Sequence, residues 1–520
     1  MKEKIAKGFA EQKALWIKEK DVFFVSFLVG LLAHGYMLTN KLPNIDEYVH
    51  MFHHGHGYEL GRWLYGLMGN FTFRIDGVYS LPFFNGVLHL ILLSISIAIF
   101  LKPFDFRSRW TKCVFAALFV AFPTVACNMG FMFTLPYYGI AVLFMAIAFY
   151  VLVNYRYGFI ASTLLICCSL GIYQAYWGLA AGFLLLYLIT ECMNEKTEAK
   201  PLILLAVKSL IALLFGVILY LIVNKIMVNV QDVEMTVYQG VDKIGQLEIS
   251  QIPSILQKAY GYFFRFTTEN YLHITWYPLV RAVIALGYIL TVIFGVVACV
   301  INRKHILKTV AMVLFTVLFP LAVNSIYIMS NERSNVHTLM CYSVVLVFLL
   351  PLVYVREVVK RCSRKVPAQV AKYAYLAAVL AVTVIYVRFS NIYYMNLETS
   401  YKQTHSFMVT LSTRMQELEG YDSELPVYFH GWYSKSSNRN IWELRMVNDM
   451  HGSIDIVEAI NSPLMRHNLF RVYLGNPINE ISDLTVIEKN WQQIQDMPDY
   501  PNDGSLAIID DIIVIKLSDK

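Results

Sequence analysis

Residues 41–63 concentrate the side chains that could do chemistry. The stretch runs Lys41-Leu-Pro-Asn-Ile-Asp46-Glu47-Tyr-Val-His50, then Met-Phe-His53-His54-Gly-His56-Gly-Tyr-Glu-Leu60, then Gly61-Arg62-Trp63. A carboxylate aimed into a cavity can act as a general base that takes the proton of a hydroxyl. Asp46 and Glu47 are adjacent, so their side chains point in different directions and one of them is the candidate base. Arg62 offers a planar five-donor fork suited to phosphate or carboxylate. The bland reading of this stretch is a solvated loop in which Trp63 is a membrane-interface tryptophan. His50 with His53 or His54 falls at i, i+3 or i, i+4 spacing, one face of a helix. Zinc would need three or four ligands, and no cysteine joins them. We therefore expect no metal site, with His50, His53 and His54 as the ligands to test first. The bland reading is a polar face whose histidines hydrogen-bond acids or sugar.

Two more clusters stand beside apolar runs. Ser330-Asn-Glu-Arg333-Ser-Asn-Val-His337 reads as a tight turn in which Arg333 is the only cation, placed to hold a lipid phosphate or to pair with Glu332. Tyr173 and Gln174 sit at the most polar point of a long apolar stretch, where Gln174 would either meet sugar hydroxyls or pack between helices.

The elements that must position these residues are membrane helices. The chain has 520 residues, 57% hydrophobic and 15% charged, against about 45–50% and 25% in soluble domains. That balance excludes a cytosolic enzyme, a disordered chain and a disulfide scaffold, and the net charge of +6 gives no reason to expect nucleic acid. The eight cysteines lie in or beside apolar runs and staple nothing. Runs of about 20 apolar residues mark spans. Eleven are expected, at 21–39, 81–101, 113–127, 134–153, 158–172, 175–192, 202–227, 278–301, 309–328, 338–355 and 370–388. Residues 1–20 read as an amphipathic helix on the cytoplasmic surface. With the N-terminus inside, the inner segments carry about three times the Lys and Arg of the outer loops. The outer side then holds loops 40–80 and 228–277 and a C-terminal α/β domain, 391–520. Within these, Gln251–Phe266 fits a helix on the bilayer. Ser400–Leu418 fits an amphipathic helix. Pro426–His430, Leu469–Leu474 and Leu506–Leu517 fit strands, the last with a turn at Asp510-Asp511. Trp432, Tyr433 and Trp442 are either core residues or platforms for sugar rings. Ionisable residues are scarce in the middle of the spans, which argues against an ion-coupled transporter.

Four stretches carry a family resemblance: Asp46-Glu47; Gly61-Arg62-Trp63; Ser169-Leu-Gly-Ile-Tyr-Gln-Ala175; and Met497-Pro-Asp-Tyr-Pro501 with Gly504-Ser505 and Asp510-Asp-Ile-Ile-Val-Ile-Lys516. In these the sequence resembles the bacterial GtrII-type glucosyltransferases, polytopic enzymes of the GT-C class. The family pattern often shows two aspartates where this chain has Asp46-Glu47.

The resemblance implies a GT-C-like transmembrane domain over 21–390 in the bacterial inner membrane. It implies an inverting transfer of a sugar, glucose first, from a polyprenyl-phosphate donor such as undecaprenyl-phosphate glucose. The acceptor would be an extracytoplasmic glycan such as O-antigen. Asp46 would be the base, with Glu47 its alternative. Arg62 and Arg333 would face the donor phosphate, and Tyr173, Gln174 and Trp63 the donor. Members of the class differ in needing a divalent metal, and the histidines do not choose. The competing readings are a transporter or assembly subunit for lipid-linked glycans without transferase chemistry, and a non-catalytic scaffold.

Overall fold

The computed structural model describes residues 2–106, 108–237, 249–329, 336–361, 366–434, 441–453, 456–482 and 485–519. In chain order its helices begin with α1 (Lys2–Thr39), α2 (Glu47–His50), α3 (Trp63–Ile75), α4 (Pro82–Leu101), α5 (Arg109–Ala121) and α6 (Pro123–Met129). Next come α7 (Leu135–Asn154), α8 (Gly158–Leu170), α9 (Trp177–Met193), α10 (Ala199–Val230) and α11 (Ile252–Arg265). The set continues with α12 (Pro278–Ile301), α13 (Ile306–Val323), α14 (Ile326–Met329), α15 (Leu350–Arg361) and α16 (Val366–Gln416). Nine helical stretches among the described residues are long and apolar enough to cross a membrane, the architecture of a polytopic helical membrane protein.

The sequence accounts for the starts and breaks. Proline stands in the first turn of α4, α6, α7, α11 and α12, where its missing N–H leaves no bond unmade. Phe122, just before Pro123, is forced out of helical geometry (ψ 140°), and α5 and α6 meet at a bend of 42°. Expected span 113–127 is thus a broken helix. Expected span 158–172 is α8, only 13 residues long. The turn expected between 158–172 and 175–192 is present: Tyr173 is extended and Gln174–Tyr176 form one 3₁₀ turn. Expected span 338–355 differs in kind. Its first half is a seven-residue 3₁₀ helix, Tyr342–Phe348, which precedes α15. The surface helix expected over 1–20 is not a separate element, because α1 runs unbroken from Lys2 to Thr39.

The chain divides into two compact units. The first holds Met1–Asn40 and His53–Asn391. In it α4 packs against α1 and α7, α8 against α7 and α10, and α9 against α13. Lys112 on α5 meets Glu19 on α1 at 2.5 Å with both side chains nearly buried.

The second unit holds Lys41–Phe52 and Ile392–Lys520. Part of the stretch read as one outer loop, 40–80, therefore belongs to the C-terminal body. Here the last turns of α16 pack on a small four-stranded sheet of order β2-β1-β4-β3: β1 (Pro426–His430), β2 (Asn479–Glu480), β3 (Leu506–Ile509) and β4 (Ile512–Lys516). Strand β1 runs parallel to β2 and β4, while β3 and β4 form a hairpin. That hairpin turns at Asp510 and Asp511, both at positive φ, the geometry of a two-residue type I′ turn. One strand expectation fails: Leu469–Tyr473 is a helical turn, continuing the helix Pro463–Asn468 that Ser462 caps. A short apolar run does not reveal its own period.

Candidate functional site

In the first unit Arg62 is built into a turn. Tyr58–Leu60 form a single 3₁₀ turn, Gly61 takes a left-handed conformation (φ 68°), and α3 starts after Arg62. Distant side chains hold this turn by its backbone. The Gln174 amide donates to Leu60 O at 2.9 Å and to Gly61 O at 3.2 Å, and the Tyr220 hydroxyl donates to Gly61 O at 3.0 Å. A Cβ on Gly61 would sit 2.7 Å from the Tyr220 oxygen, so glycine is required by both φ and space. From the far side, Gly171 O accepts the N–H of Leu64 and Tyr65 at 2.8 and 3.1 Å. The Trp63 indole lies where a Gly171 side chain would be, 2.4 Å from its virtual Cβ.

Arg62 is thereby presented to a wall of tyrosines. Its guanidinium lies 5.0 Å over the Tyr173 ring, and Nη1 donates to the Tyr138 hydroxyl at 3.4 Å. Tyr138 stacks on Tyr173 at 4.5 Å, and Tyr176 meets both edge-on. Asn128 donates to the Tyr176 hydroxyl at 3.1 Å. The hydroxyl of Tyr173, a residue only 2% exposed, and the indole N–H of Trp63 are buried and meet no hydrogen-bond partner among the described residues. Buried polar groups are nearly always paired. The Tyr173 hydroxyl is thus a buried orphan on the ring that lies under the Arg62 guanidinium, chemistry that can accommodate a polar, anionic group.

In the second unit the acidic pair is split by its surroundings. The side chain of Asn44 accepts the Glu47 N–H at 2.8 Å at the start of α2. Glu47 is 1% exposed and meets Lys41 at 3.0 Å. Asp46 precedes α2 and stays half-buried. Tyr48 enters the core beside Met408, Leu411 and Phe470, and Asn468 donates to its carbonyl at 2.7 Å. Glu47 is buried, and Asp46 is half-buried.

The histidines part company. His50 ends α2 in the second unit, while His53 and His54 open the first. His53 Nδ1 accepts the Gly55 N–H at 2.9 Å, and His54 Nε2 donates to Asn70 Oδ1 at 3.1 Å. Among the described residues no three His, Cys, Asp or Glu side chains gather to hold a metal. Arg333 lies outside the described residues. Gln174 differs from expectation in what it touches: its amide serves the Arg62 turn instead of facing open space. Sequence reasoning missed Tyr138 and Tyr220, and it gave Gly171 no role of its own within the Ser169–Ala175 motif. Only the tyrosines at helix ends, Tyr137-Tyr138 and Tyr173 with Tyr176, hinted at an aromatic wall.

A family model for glucosyl transferase GtrII matches residues 35–348, more than half of the chain. The chain belongs to this family. No curated protein and no solved structure matches it. The matched region contains the acidic pair, the Arg62 turn and the tyrosine wall, and it ends at Phe348, before the C-terminal sheet. Membership makes the protein a glucosyltransferase.

Proposed function

We propose that this GtrII glucosyltransferase is an inverting GT-C-type enzyme that moves glucose from a polyprenyl-phosphate donor to an extracytoplasmic glycan. It would work at the outer face of a bacterial inner membrane, with the N-terminus and the basic connectors in the cytoplasm. What supports a lipid-phosphate donor is the surroundings of Arg62: a cation on a tyrosine wall that includes the orphaned buried hydroxyl of Tyr173. Helix α10 adds to this, because it presents Tyr220 to the Arg62 turn while Ile218, Ile222 and Ile226 stay exposed, as a lipid-facing stripe would.

In this reading Arg62, Tyr173 and Trp63 take the donor phosphate and sugar, and Gln174 and Tyr220 position Arg62. Asp46 takes the proton of the acceptor hydroxyl. The acceptor oxygen bonds to the anomeric carbon as the bond from that carbon to the phosphate oxygen breaks. Polyprenyl phosphate leaves with the electron pair, and Arg62 balances the charge that develops there. Arg333 joins as a second phosphate ligand on the strength of the sequence alone. A carboxylate base and a guanidinium perform this displacement without a nucleotide.

The test uses full-length protein in nanodiscs with radiolabelled undecaprenyl-phosphate glucose and an envelope glycan. Transfer by wild type that Asp46→Asn and Arg62→Ala abolish is the expected result. Transfer from a nucleotide sugar instead, or undiminished transfer in both variants, overturns the proposal.

A further inference from the structure

The second unit carries a groove of about 440 Å³ lined by Lys402, Gln403, Ser406, Phe407, Thr410 and Tyr500, within the size range of small-ligand sites. Five of these residues lie at i, i+1, i+4, i+5 and i+8 on α16, so they share one helix face. The floor is aromatic. Phe407 meets Tyr500 edge-on at 5.2 Å and Tyr433 at 4.9 Å. Tyr500 is fixed in turn: its N–H donates to Lys516 O at 2.9 Å, and Arg414 lies 5.4 Å over its ring. The rim is polar and uncharged apart from Lys402, which is tied to Glu398 at 2.7 Å. Ser406 and Thr410 are exposed. The Thr410 hydroxyl donates to Ser406 O at 3.0 Å, which leaves its oxygen to accept from a ligand.

A rigid aromatic floor under a rim of hydroxyl and amide groups matches one ligand chemistry. A pyranose ring has an apolar C–H face for the aromatic ring and hydroxyls around its edge for the rim. A polyanion would want several unpaired cations, and a lipid or apolar peptide would want a drier rim. The groove also lies outside residues 35–348, so the family match does not account for it.

We propose that this face of α16 is a carbohydrate-binding site that takes a neutral oligosaccharide, the acceptor glycan of the transfer reaction. The word acceptor rests on the transferase reading; the binding itself does not.

The experiment probes full-length, fluorescently labelled protein in nanodiscs against an array of neutral bacterial envelope oligosaccharides, with an array of peptides alongside. Donor turnover is measured on the same preparation. Wild type should hold at least one oligosaccharide. Ser406→Trp, which fills the groove from an exposed position, should weaken that binding by about tenfold or more, and Gln403→Ala by about threefold. Both variants should keep the wild-type melting temperature. Retention of no oligosaccharide, capture of peptides instead, or equal binding by Ser406→Trp overturns the groove as a glycan site. Glycan binding without donor turnover would keep the groove and remove the transferase reading, and turnover without glycan binding would do the reverse.

Discussion

The acidic turn around Asp46 and the basic turn around Arg62 lie within one polar stretch of sequence, yet they are held in opposite ways. The acidic turn is secured through a side chain of its own pair. Glu47 is buried against Lys41, Asn44 accepts its N–H, and Tyr48 is sunk in the core of the second unit. The basic turn is secured through its backbone. Gln174 and Tyr220 bind the carbonyls of Leu60 and Gly61, and Gly171 binds the start of α3. Adjacent acids can differ sharply in burial, and a turn held by its carbonyls does not need its guanidinium to hold it. A charged residue in a sequence is therefore a candidate for chemistry only after its neighbours have been asked what they need for folding.

The sharpest way to break this comparison is to neutralise each acid separately. Asp46→Asn should lower kcat by about 10²–10⁴-fold, the usual contribution of a general base, with the melting temperature unchanged. Glu47→Gln should act chiefly on stability, costing about 1–3 kcal/mol because Lys41 loses its buried partner while remaining partly exposed itself. Chemical denaturation and steady-state transfer on both variants decide it. The opposite pattern, with Glu47→Gln inactive but stable, would exchange the two roles.

Arg62 comes next. Arg62→Lys keeps the charge but loses the planar fork and the stacking on Tyr173. Donor turnover should fall by about 10–100-fold, with little change in melting temperature, since the turn is held by its backbone. A variant that loses stability and activity together would show that the guanidinium is part of the scaffold.

Gly61→Ala attacks the same turn from within. The new methyl group would require a left-handed alanine and would press on the Tyr220 oxygen, for a cost of about 1–3 kcal/mol. Tyr220→Phe removes that oxygen. The double variant should therefore be destabilised by less than the sum of the single ones, a coupling of about 0.5 kcal/mol or more in denaturant melts. Strict additivity would mean that φ alone carries the cost.

The part of this legible in sequence follows what is local. Apolar runs of span length, prolines at helix starts and the Asp510-Asp511 hairpin turn all show in windows of a few to twenty residues, and the structure has them. The Arg62 turn was half legible: the Gly61-Arg62-Trp63 motif was visible, but its supports come from residues more than a hundred positions away. Gln174 illustrates why. A lone amide at a helix turn suits a sugar hydroxyl and a backbone carbonyl equally well, and only the fold chooses. Leu469–Tyr473 failed for the converse reason, since β-branched and aromatic residues in a five-residue run fit a strand until Ser462 and Pro463 start a helix just ahead of it. The partition of Lys41–Phe52 into the C-terminal body was hidden as well, because the burial of Tyr48 depends on partners 360 to 430 residues further along.

The smallest expected effect concerns His54, which stands between the two turns in the sequence. His54 is wedged against Gly69, whose virtual Cβ would lie 2.5 Å from the imidazole, and burial pulls its pKa below the ordinary 6.5, although the Asn70 hydrogen bond partly opposes this. The folded state thus resists protonating a ring that the unfolded chain protonates near pH 6.5. Below that pH the unfolded state binds more protons, so stability rises with pH there. The contribution of a neutral His54 is complete above 6.5 and is lost as the pH falls through the lowered folded value. Because the ring is only about half buried, the wild-type melting temperature should drop by only about 1–2 °C more than that of His54→Gln between pH 7 and pH 5. If His54 and His53 held a metal instead, a chelator would shift the wild-type melt and leave His54→Gln unmoved, and the acid step would follow the metal. A step present in wild type, absent in the variant and indifferent to chelator assigns His54 to the packing of α3, and leaves Arg62 as the residue in that turn to pursue for chemistry.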